Sequence, residues 1–339
     1  MDLCVGLDLH GDNVYCAVMD GQYRTVMEQR LPNALPVLLQ ALEPYRERVR
    51  SVAVESTFNW YWVVDGLQAA QYPVHLANPS RMQENIGLKA ADDRTDARFL
   101  AKQQVMGVLP EGYIYPKEQR PVRDLLRQRV RLVQTRTGEW LSLESLVARH
   151  SGQGLGVRAL SNLEAGELSG LLGGDALVLE AAQLRFQHIA FLDRQIAAVE
   201  RSVESRVRLD PNYERLQTVP GIGRILALTI QLESGPIARF AGPGHYASYC
   251  RCVKAQHTSN TSVKREGNRK CGNRYLAWAY VEAANFATRY SPELRAWYQR
   301  KAARSKRVIA LKALANKLAK ACFFMLRDGV AFDVNRLVG

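Results

Sequence analysis

Apolar runs and turn residues divide the first 80 residues of this chain into a succession of short elements. Two apolar runs joined by a His-Gly-Asp-Asn turn predict a hairpin, and a third strand follows it. Helical spacing then alternates with buried-type strands. The predicted elements are strands Leu3–Leu9, Val14–Met19 and Arg24–Arg30, helix Leu35–Tyr45, strand Ser51–Glu55, helix Trp60–Ala70 and strand Pro73–Ala77. Three antiparallel strands followed by alternating helices and parallel strands predict a mixed α/β domain.

This order is that of the ribonuclease H-like fold, and the rest of the chain has mostly helical patterns. A helix is predicted at about Asp93–Met106 and a long arginine-rich helix from Pro121 to about His150. The Gly-rich stretch Ser151–Gly174 is predicted to be a flexible link or a pair of short turns. Another helix over Leu177–Val207 has apolar residues in steps of three and four, which favours either an antiparallel stem with the earlier long helix or a self-association surface. Its apolar residues are Ile189, Leu192, Ile196, Val199 and Val203. We therefore predict an α/β catalytic domain over 1–118, a stem of long helices over 119–208, and a mostly helical domain over 209–339.

Four acidic residues, Asp8, Glu55, Asp93 and Asp96, are predicted to converge at one point. Asp8 lies in the first strand and Glu55 ends the strand expected beside it, while Asp93 and Asp96 share one face of a helix. Asp92 is an alternative to Asp93, because it lies four residues before Asp96. Carboxylates this close repel each other unless cations neutralise them, and oxygen-only clusters suit Mg²⁺, whose paired ions run phosphodiester chemistry. The acids therefore predict a magnesium site.

The excess positive charge of +13 lies in the last quarter of the chain. Between Cys250 and Lys320 there are 17 Lys and Arg residues against three acids, whereas the other residues carry 29 basic and 30 acidic groups. Concentrated charge of this kind is typical of a surface that binds a polyanion, because a solvated basic helix usually mixes both signs. DNA is the expected partner.

Two C-terminal segments are candidates for this contact. Pro220-Gly-Ile-Gly223 precedes a helix in the pattern of a helix-hairpin-helix turn, where Gly221 and Gly223 would let backbone N–H groups approach a phosphate. A plain turn between two helices is the alternative. The second segment, over 253–267, is predicted to be a flexible polar loop rich in hydroxyls. The cations around this loop that we predict to bind nucleic acid are Lys254, Lys264, Arg265, Arg269, Lys270 and Arg274.

The sequence gives no sign of a membrane segment. No run of about 18 apolar residues is present, and Asp2, Asp8 and Asp12 interrupt any signal-peptide pattern. The six cysteines lack the spacing of a disulfide or zinc framework. A reducing bacterial cytoplasm, with association to the nucleoid during action on DNA, is the expected setting.

Ordered motifs near both ends of the chain resemble a known family. The N-terminal motifs are Val5-Gly-Leu-Asp8, Val52-Ala-Val-Glu55, Asn78-Pro79 and Asp93-Arg-Thr-Asp96. The C-terminal motifs are Pro220-Gly-Ile-Gly223, Arg239-Phe240, Lys270-Cys-Gly-Asn273-Arg-Tyr-Leu276 and Glu282-Ala-Ala284. These residues are similar to those of the DEDD insertion-sequence transposases of the IS110 family, which also contains the Piv pilin-gene DNA invertase. The resemblance extends over almost the whole chain.

The resemblance implies a RuvC-like catalytic domain with the ribonuclease H fold, a coiled-coil stem and a transposase domain with a helix-hairpin-helix element. It also implies that the four acids hold Mg²⁺. Family members have an essential serine in a Ser-Gly pair after a Val-Pro segment. Here Ser259-Asn260 takes the place of that pair and Val253-Lys254 that of Val-Pro, with Ser262 as the alternative nucleophile. Asn is the residue most able to replace Gly at positive φ.

The family mechanism implies that the serine attacks a DNA phosphate and forms a phosphoserine link, while metal held by the acids stabilises the attacking and leaving oxygens. Some members take their target and donor sequences from a structured noncoding bridge RNA. Such members assemble as dimers that pair into tetramers, with the serine and the acids supplied by different subunits. A homo-oligomer is therefore expected.

Three functions are compatible with these patterns. The first is a site-specific recombinase, either a transposase or an invertase. The second is a structure-selective nuclease resembling RuvC, which needs the acids but no serine. The third is a non-catalytic nucleic-acid-binding protein. A sugar-kinase-like ATPase also begins with a strand, an Asp and a Gly-containing turn, but the sequence lacks the second Gly-rich phosphate loop that such an enzyme needs.

Overall fold

The computed structural model describes residues 2–78, 82, 93–206, 210–253, 256–259, 262–266 and 271–338, with the backbone alone described at 93, 165, 256–259, 262–266 and 338. The chain forms two compact units, one extending to Lys117 and one that takes nearly all of the chain from Glu118 onward. Within the described residues, no helix combines the length and the apolar character that crossing a membrane would require.

The first unit is built on a five-stranded mixed sheet with the strand order β3-β2-β1-β4-β5. The central strand β1 pairs antiparallel with β2 and parallel with β4, while β3 and β5 form the edges. This arrangement confirms the predicted α/β class, and only the strand ends differ from the prediction. The strands are β1 (Leu3–Leu9), β2 (Asn13–Asp20), β3 (Thr25–Pro32), β4 (Val49–Glu55) and β5 (Val74–Ala77).

Helices cover both faces of this sheet. On one face, α1 (Leu35–Leu42) and α2 (Tyr61–Ala69) pack on alternate apolar residues of β1 and β4, and a short 3₁₀ helix continues α1 over Glu43–Arg48. The opposite face is covered by α3 (Asp93–Val105), which contacts β1, β2 and β4. Because side chains alternate along a strand, the apolar residues of β1 and β4 serve the first face and their small residues serve the second.

Small residues let α3 approach the sheet closely. Gly6 of β1 lies opposite Ala53 of β4 in the register of the parallel pair. A Cβ atom added to Gly6 would lie 2.0 Å from the carbonyl oxygen of Ala97 and 2.6 Å from the backbone nitrogen of Ala101. Any side chain at position 6 would therefore collide with the backbone of the helix, and the glycine sets the helix–sheet distance.

Two ion pairs, called here the Glu28 clamp, attach α3 to the edge strand β3. The Arg94 guanidinium lies 2.8 Å from a carboxylate oxygen of Glu28 on β3, and Arg98 donates to the other oxygen at 2.9 Å. The two arginines are one helical turn apart, so both reach the same carboxylate. This clamp restricts rotation of α3 about its own axis.

The second unit begins with two long helices that pack together. These helices are α4 (Arg120–Ser151) and α7 (Ala176–Glu204). Ion pairs between them run in opposite sequence directions, which makes the pair antiparallel; they join Arg129 to Glu200, Arg136 to Asp193 and Arg185 to Glu139. Most of the apolar stripe predicted for α7 is buried, which agrees with internal packing between the two helices.

The Gly-rich segment between these helices, predicted to be a flexible link or a pair of short turns, contains two short helices. They are α5 (Val157–Leu160) and α6 (Ala165–Leu171). Leu160, Leu168 and Leu172 are buried in one cluster with side chains of α4 and α7. The prediction missed these helices because a few leucines between glycines give too short a periodic pattern.

The remaining helices form a core around Tyr246, Tyr280 and the small-residue face of α11. The helices are α8 (Pro211–Gln217), α9 (Arg224–Ser234), α10 (Pro243–Tyr249), α11 (Arg274–Tyr290), α12 (Pro292–Ala302), α13 (Arg307–Asp328) and α14 (Val334–Val338), with a 3₁₀ turn at Ile237–Arg239. The segment predicted to be a flexible loop instead contains an antiparallel hairpin of β6 (Gln256–Ser259) and β7 (Ser262–Glu266). That loop prediction was wrong.

We expect Gly6→Ala to destabilise the first unit by about 1–3 kcal/mol or more, because the new methyl group must displace the backbone of α3. Gly21→Ala is the matched control, since a Cβ atom at Gly21 meets nothing within 4 Å. Urea unfolding of both variants checks the expectation. Equal stability of the two variants would contradict the close helix–strand contact.

Candidate functional site

Asp8 and Glu55 lie side by side at the carboxyl ends of β1 and β4. The parallel register pairs Gly6 with Ala53 and Leu7 with Val54, so the next residues along the two strands are Asp8 and Glu55. Each acid is two residues beyond a small residue under α3, and both therefore point to the face that α3 covers. Asp8 is only 3 % exposed, although it is charged in its ordinary state. A buried carboxylate at this position needs partners.

Three of the predicted acids act on one another electrostatically. Burial raises the pKa of Glu55 from 4.5 to about 7, and the hydrogen bond with Asp8 and the negative charges of Asp8 and Asp96 raise it as well. Asp96 supplies its charge from the exposed side of the first turns of α3. The structure thus places Asp8 beside Glu55 and Asp96 within electrostatic reach of Glu55, while the predicted convergence of these acids on one metal ion stays a prediction.

The fourth predicted acid is described only through its backbone. Asp93 is the first residue of α3, three residues before Asp96. Its side chain lies outside the described residues, and so does all of Asp92. The choice between these two residues as the fourth acid stays a prediction.

His10 is a site residue that the sequence analysis missed. Its Nε2 atom lies 3.0 Å from Oδ2 of Asp8. The side-chain amides of Asn33 and Asn59 both donate to the main-chain carbonyl of His10, at 2.9 and 2.7 Å. These bonds join the turn after β1 to the loop after β4 and to the end of β3. A histidine two residues after the strand acid was the signal that could have identified this contact.

The loop after β4 is also held by its own hydrogen bonds. The Thr57 backbone N–H donates to the Glu55 carbonyl at 2.9 Å, and the Thr57 hydroxyl donates to the Asn59 side chain at 2.9 Å. This loop therefore places Glu55 and the His10 turn in one bonded frame. A frame of this kind keeps like charges close despite their repulsion.

The donor set fits a hard divalent cation. Asp8, Glu55 and Asp96 offer only carboxylate oxygens, which Mg²⁺ prefers over nitrogen or sulfur. A bound cation would relieve the repulsion that raises the pKa of Glu55. Over the part of the chain that the structure describes, no three His, Cys, Asp or Glu side chains are grouped so that they could hold a metal ion, and the metal-binding role of these acids stays a prediction.

Both candidate serine nucleophiles lie at the tip of the β6–β7 hairpin. Ser259 is the last residue of β6 and pairs directly with Ser262, the first residue of β7. Asn260 and Thr261 between them lie outside the described residues. The backbone therefore places the two serines at equivalent positions, and the choice between them stays a prediction.

The predicted cations around the hairpin are described only in part. Lys264 is the extra residue of a β-bulge, because Thr258 pairs with Val263 and His257 pairs with Arg265. The side chains of Lys264 and Arg265 lie outside the described residues. Lys254, Arg269 and Lys270 lie outside them entirely.

The two ends of the hairpin segment are joined at their base. The Arg251 guanidinium donates to the Gly272 carbonyl at 2.9 and 3.1 Å, and the Asn273 backbone N–H donates to the Tyr249 carbonyl at 2.6 Å. Gly272 has a φ of +78°, and a Cβ atom there would lie 2.5 Å from the Tyr249 carbonyl oxygen. The chain thus leaves α10 and enters α11 at one fixed point.

A buried ion pair supports this base. Asn273 caps α11 by accepting from the N–H groups of Tyr275 and Leu276, and its amide donates to Glu233 at 2.7 Å. Arg127 of α4 donates to both oxygens of Glu233, at 2.5 and 2.7 Å, which raises the pKa of the guanidinium. Glu233 is only 2 % exposed. This network links α4, α9 and the start of α11, and the sequence analysis missed it.

The glycines of the predicted helix-hairpin-helix turn differ in their surroundings. Gly221 has a φ of +94°, and a Cβ atom there would lie 2.5 Å from backbone atoms of Ala283 and Ala287 on α11. Close packing between helices therefore accounts for Gly221 without a ligand. Gly223 is exposed at the start of α9, where a Cβ atom would meet nothing within 4 Å.

Arg274, the last of the predicted nucleic-acid contacts, is exposed in the first turn of α11. Its guanidinium lies 4.9 Å from the centre of the Tyr275 ring and donates to the Tyr275 hydroxyl at 2.8 Å. The aromatic ring thus fixes a cation at the surface near the hairpin base.

The acidic cluster on a mixed sheet and the mostly helical second unit are the parts expected of a DEDD nuclease-like transposase. Two family models match the chain: the IS110-type DEDD transposase model, described as "Transposase", matches residues 5–150, and the model described as "Transposase IS116/IS110/IS902 family" matches residues 213–299. Together they cover more than half of the chain. The chain belongs to the IS110/IS116/IS902 family of transposases.

Individual relatives are similar over parts of their length. The chain is 30 % identical to the insertion element IS110 uncharacterized 43.6 kDa protein of Streptomyces coelicolor, over 41 % of this chain and 35 % of that protein. It is 24 % identical to the transposase for insertion sequence element IS1111A of Coxiella burnetii, over 79 % of this chain and 74 % of that protein. The IS1328 transposase of Yersinia enterocolitica is 26 % identical, over 43 % of this chain and 45 % of that protein. The chain thus spans between about a third and three quarters of these relatives.

We expect Glu55→Gln to stabilise the metal-free protein by about 1–2 kcal/mol at pH 8 and to have little effect at pH 5. The folded-state pKa of Glu55 is raised to about 7, so the folded protein is destabilised as the pH rises from 4.5 through 7 and Glu55 ionises. Denaturant unfolding in EDTA at the two pH values measures this difference.

Glu47→Gln is the control for this prediction, because Glu47 is an exposed acid in the 3₁₀ helix after α1. It should change stability equally at both pH values. A Glu55 variant that behaves like the Glu47 variant would show that the carboxylates do not repel one another.

We expect Arg127→Met to destabilise the second unit by about 3 kcal/mol, because it leaves the charge of Glu233 buried without its cation. Arg131→Met on the exposed side of α4 is the control and should cost less than about 0.5 kcal/mol. Urea unfolding gives the stabilities, and faster amide exchange at Tyr275 and Leu276 would report loosening of the α11 cap. Equal effects of the two substitutions would contradict a structural role for the buried pair.

Proposed function

We propose that this protein is an active DNA transposase that cleaves and rejoins DNA strands at the ends of an insertion sequence. The supporting observation is that Asp8 and Glu55 lie side by side at the carboxyl ends of two parallel strands, where burial, the hydrogen bond with Asp8 and the negative charges of Asp8 and Asp96 raise the pKa of Glu55 to about 7. Repulsion between fixed carboxylates destabilises the metal-free fold. A chain keeps such an arrangement where it serves a cation-dependent reaction.

The acidic residues have separate tasks in this proposal. Asp8, Glu55, Asp96 and Asp93, or Asp92 in its place, would hold Mg²⁺. When bound, the metal would stabilise negative charge on the phosphate oxygens of the DNA. His10 holds Asp8 in one orientation, and the bonds of Asn33 and Asn59 to the His10 carbonyl keep that histidine in place.

Ser259, or Ser262 in its place, would act as the nucleophile. Its Oγ forms a bond to phosphorus, the bond from phosphorus to one deoxyribose oxygen breaks, the serine proton is lost to water, and the released deoxyribose oxygen takes up a proton. One phosphoester replaces another, so the cleaved DNA end stays attached to the protein through a phosphoserine link. A DNA hydroxyl then reverses the exchange and joins a new pair of strand ends.

Further features belong to the proposal. The antiparallel α4–α7 pair would serve as a coiled-coil stem between a RuvC-like domain over 1–118 and a transposase domain over 209–339. The α8–α9 turn would act as a helix-hairpin-helix element that contacts a DNA phosphate through Gly223. A noncoding bridge RNA would select the DNA sites, and the chain would act in the cytoplasm as a dimer or tetramer. Inversion of a DNA segment would use the same chemistry.

We expect Asp8→Asn and Ser259→Ala each to lower recombination of an element-bearing plasmid by at least about 10³-fold. The serine variant should also lose the denaturation-resistant protein–DNA adduct that the proposed mechanism requires. Ser262→Ala is the matched control at the other side of the hairpin tip. If only Ser262→Ala loses the adduct, Ser262 is the nucleophile instead of Ser259.

Two other outcomes separate the alternatives. Free-ended DNA products without any adduct would favour a RuvC-like nuclease that does not use serine. Salt-sensitive DNA binding without Mg²⁺-dependent strand cleavage would favour a non-catalytic binding protein. Full recombination by both Asp8→Asn and Ser259→Ala would defeat the proposal.

A further inference from the structure

We propose that the corner between α12 and α13, called here the basic corner, binds the phosphates of duplex DNA. This inference rests on the proposed function. The basic corner lies beyond the segments matched by either family model, which end at residues 150 and 299. It consists of six exposed cations, Arg300, Lys301, Arg304, Lys306, Arg307 and Lys312.

The cations of the basic corner are not neutralised by any carboxylate that the structure describes. Over the part of the chain that the structure describes, none of its six cations forms an ion pair. The sequence from Leu294 to Arg327 contains no Asp or Glu at all. Six like charges within 13 residues repel one another, and this cost is recovered only when a polyanion binds.

Several other cations of the second unit have carboxylate or carbonyl partners. Arg127, Arg129, Arg136 and Arg185 on α4 and α7 each contact a carboxylate. Arg295 next to the corner donates to two main-chain carbonyls, and Lys317 donates to the Leu337 carbonyl. Cations that stabilise the fold therefore have partners, whereas those of the basic corner face solvent.

The helix geometry adds to this charge. Lys306 is the N-cap of α13, a helix of 22 residues. The backbone N–H groups in the first turn of this helix therefore lie at the basic corner and add partial positive charge to it. Val308 and Ile309 are 69 % and 53 % exposed beside these cations. Exposed apolar side chains next to unpaired cations suit contact with the sugar–phosphate backbone, whose sugars are apolar and whose phosphates are charged.

The test is the salt dependence of DNA binding by the full chain without divalent metal. A fluorescent duplex that carries the end of an insertion sequence is titrated between 50 and 300 mM NaCl, with wild type and the variant Arg304→Gln/Lys306→Gln/Arg307→Gln. We expect the slope of log Kd against log salt to fall by about 2–3, and the affinity at 100 mM salt to fall about 10- to 100-fold.

The matched control is Arg158→Gln/Arg194→Gln/Arg201→Gln, which removes three exposed cations from α5 and α7 of the same unit. It should leave the slope within about 1 of wild type. Equal slopes for the two triple variants would overturn the assignment of the basic corner. The same titration is made with a hairpin RNA. If the corner variant loses affinity for the RNA while its affinity for the DNA duplex is unchanged, the choice of DNA as the partner is overturned. Absence of DNA binding by wild type would instead overturn the proposed function.

A separate observation concerns Phe58, and we infer that its ring stacks on a DNA base beside the cleaved phosphate. This side chain is 86 % exposed, although it lies in the hydrogen-bonded loop between Glu55 and Asn59. The loop bonds hold the residues on either side of Phe58, so that its exposed ring lies three residues after a carboxylate of the acidic cluster. A solvent-exposed aromatic ring is a sequence-tolerant platform for a nucleobase.

The test uses duplexes with 2-aminopurine at successive positions near the DNA end, in a non-cleaving Asp8→Asn background. We expect a fluorescence change at one or two positions that Phe58→Leu abolishes and Phe58→Trp restores, with about tenfold weaker binding for the leucine variant. Tyr290→Leu is the control, because Tyr290 is an exposed aromatic residue of α11. An unchanged fluorescence pattern and affinity in Phe58→Leu would overturn the stacking role while leaving the proposed function intact.

Discussion

The contact of α3 with the backbone of β1 at Gly6 determines the geometry of the whole acidic cluster. A side chain at position 6 would overlap the carbonyl oxygen of Ala97, so the helix sits at a distance that only glycine permits. Because Asp96 immediately precedes Ala97, this contact also sets how far its charge lies from Glu55. The Glu28 clamp supplies what a single contact cannot, since it restricts the rotation of α3. Packing and ion pairing together thus convert sequence-distant acids into one site.

The cluster is costly, and the surrounding structure offsets the cost. Asp8 is buried and the pKa of Glu55 is raised, so both carboxylates need a hydrogen-bond or ionic partner to stay ionised at low cost. The compensation comes from hydrogen bonds: the side-chain amides of Asn33 and Asn59 donate to the His10 carbonyl, and Nε2 of His10 lies 3.0 Å from the Asp8 carboxylate. An arginine at this point would have stabilised the fold better, but it would also have neutralised the site. The frame therefore holds Asp8 and Glu55 in place without a neighbouring arginine or lysine among their described hydrogen-bond partners.

The sequence predicted those parts that depend on local periodicity and on strand direction. Alternation of apolar residues gave the five strands, and the rule that parallel strands end at one edge brought Asp8 beside Glu55. The β6–β7 hairpin could not be predicted in this way, because Gln256–Ser259 is polar throughout. The Arg127–Glu233 pair was equally hidden, since its members are 106 residues apart and neither stands in a recognisable motif. His10 was missed for a different reason: a histidine in a turn has no periodic signal.

The two halves of the chain use charge in opposite ways, and this difference connects the fold to the proposed chemistry. In the first unit, like charges are concentrated at the ends of rigid strands, so the negative field has a fixed position. In the second unit, Arg129, Arg136 and Arg185 of α4 and α7 are paired with acids, whereas the cations of the basic corner are left without ion pairs among the described residues. DNA is repelled by the first arrangement and attracted by the second. In the proposed mechanism, a cation would neutralise the acidic cluster before a DNA phosphate enters it, and cationic surfaces of the chain would bind the same DNA. The proposed chemistry therefore needs the positive excess of the C-terminal quarter as well as the acids of the first unit.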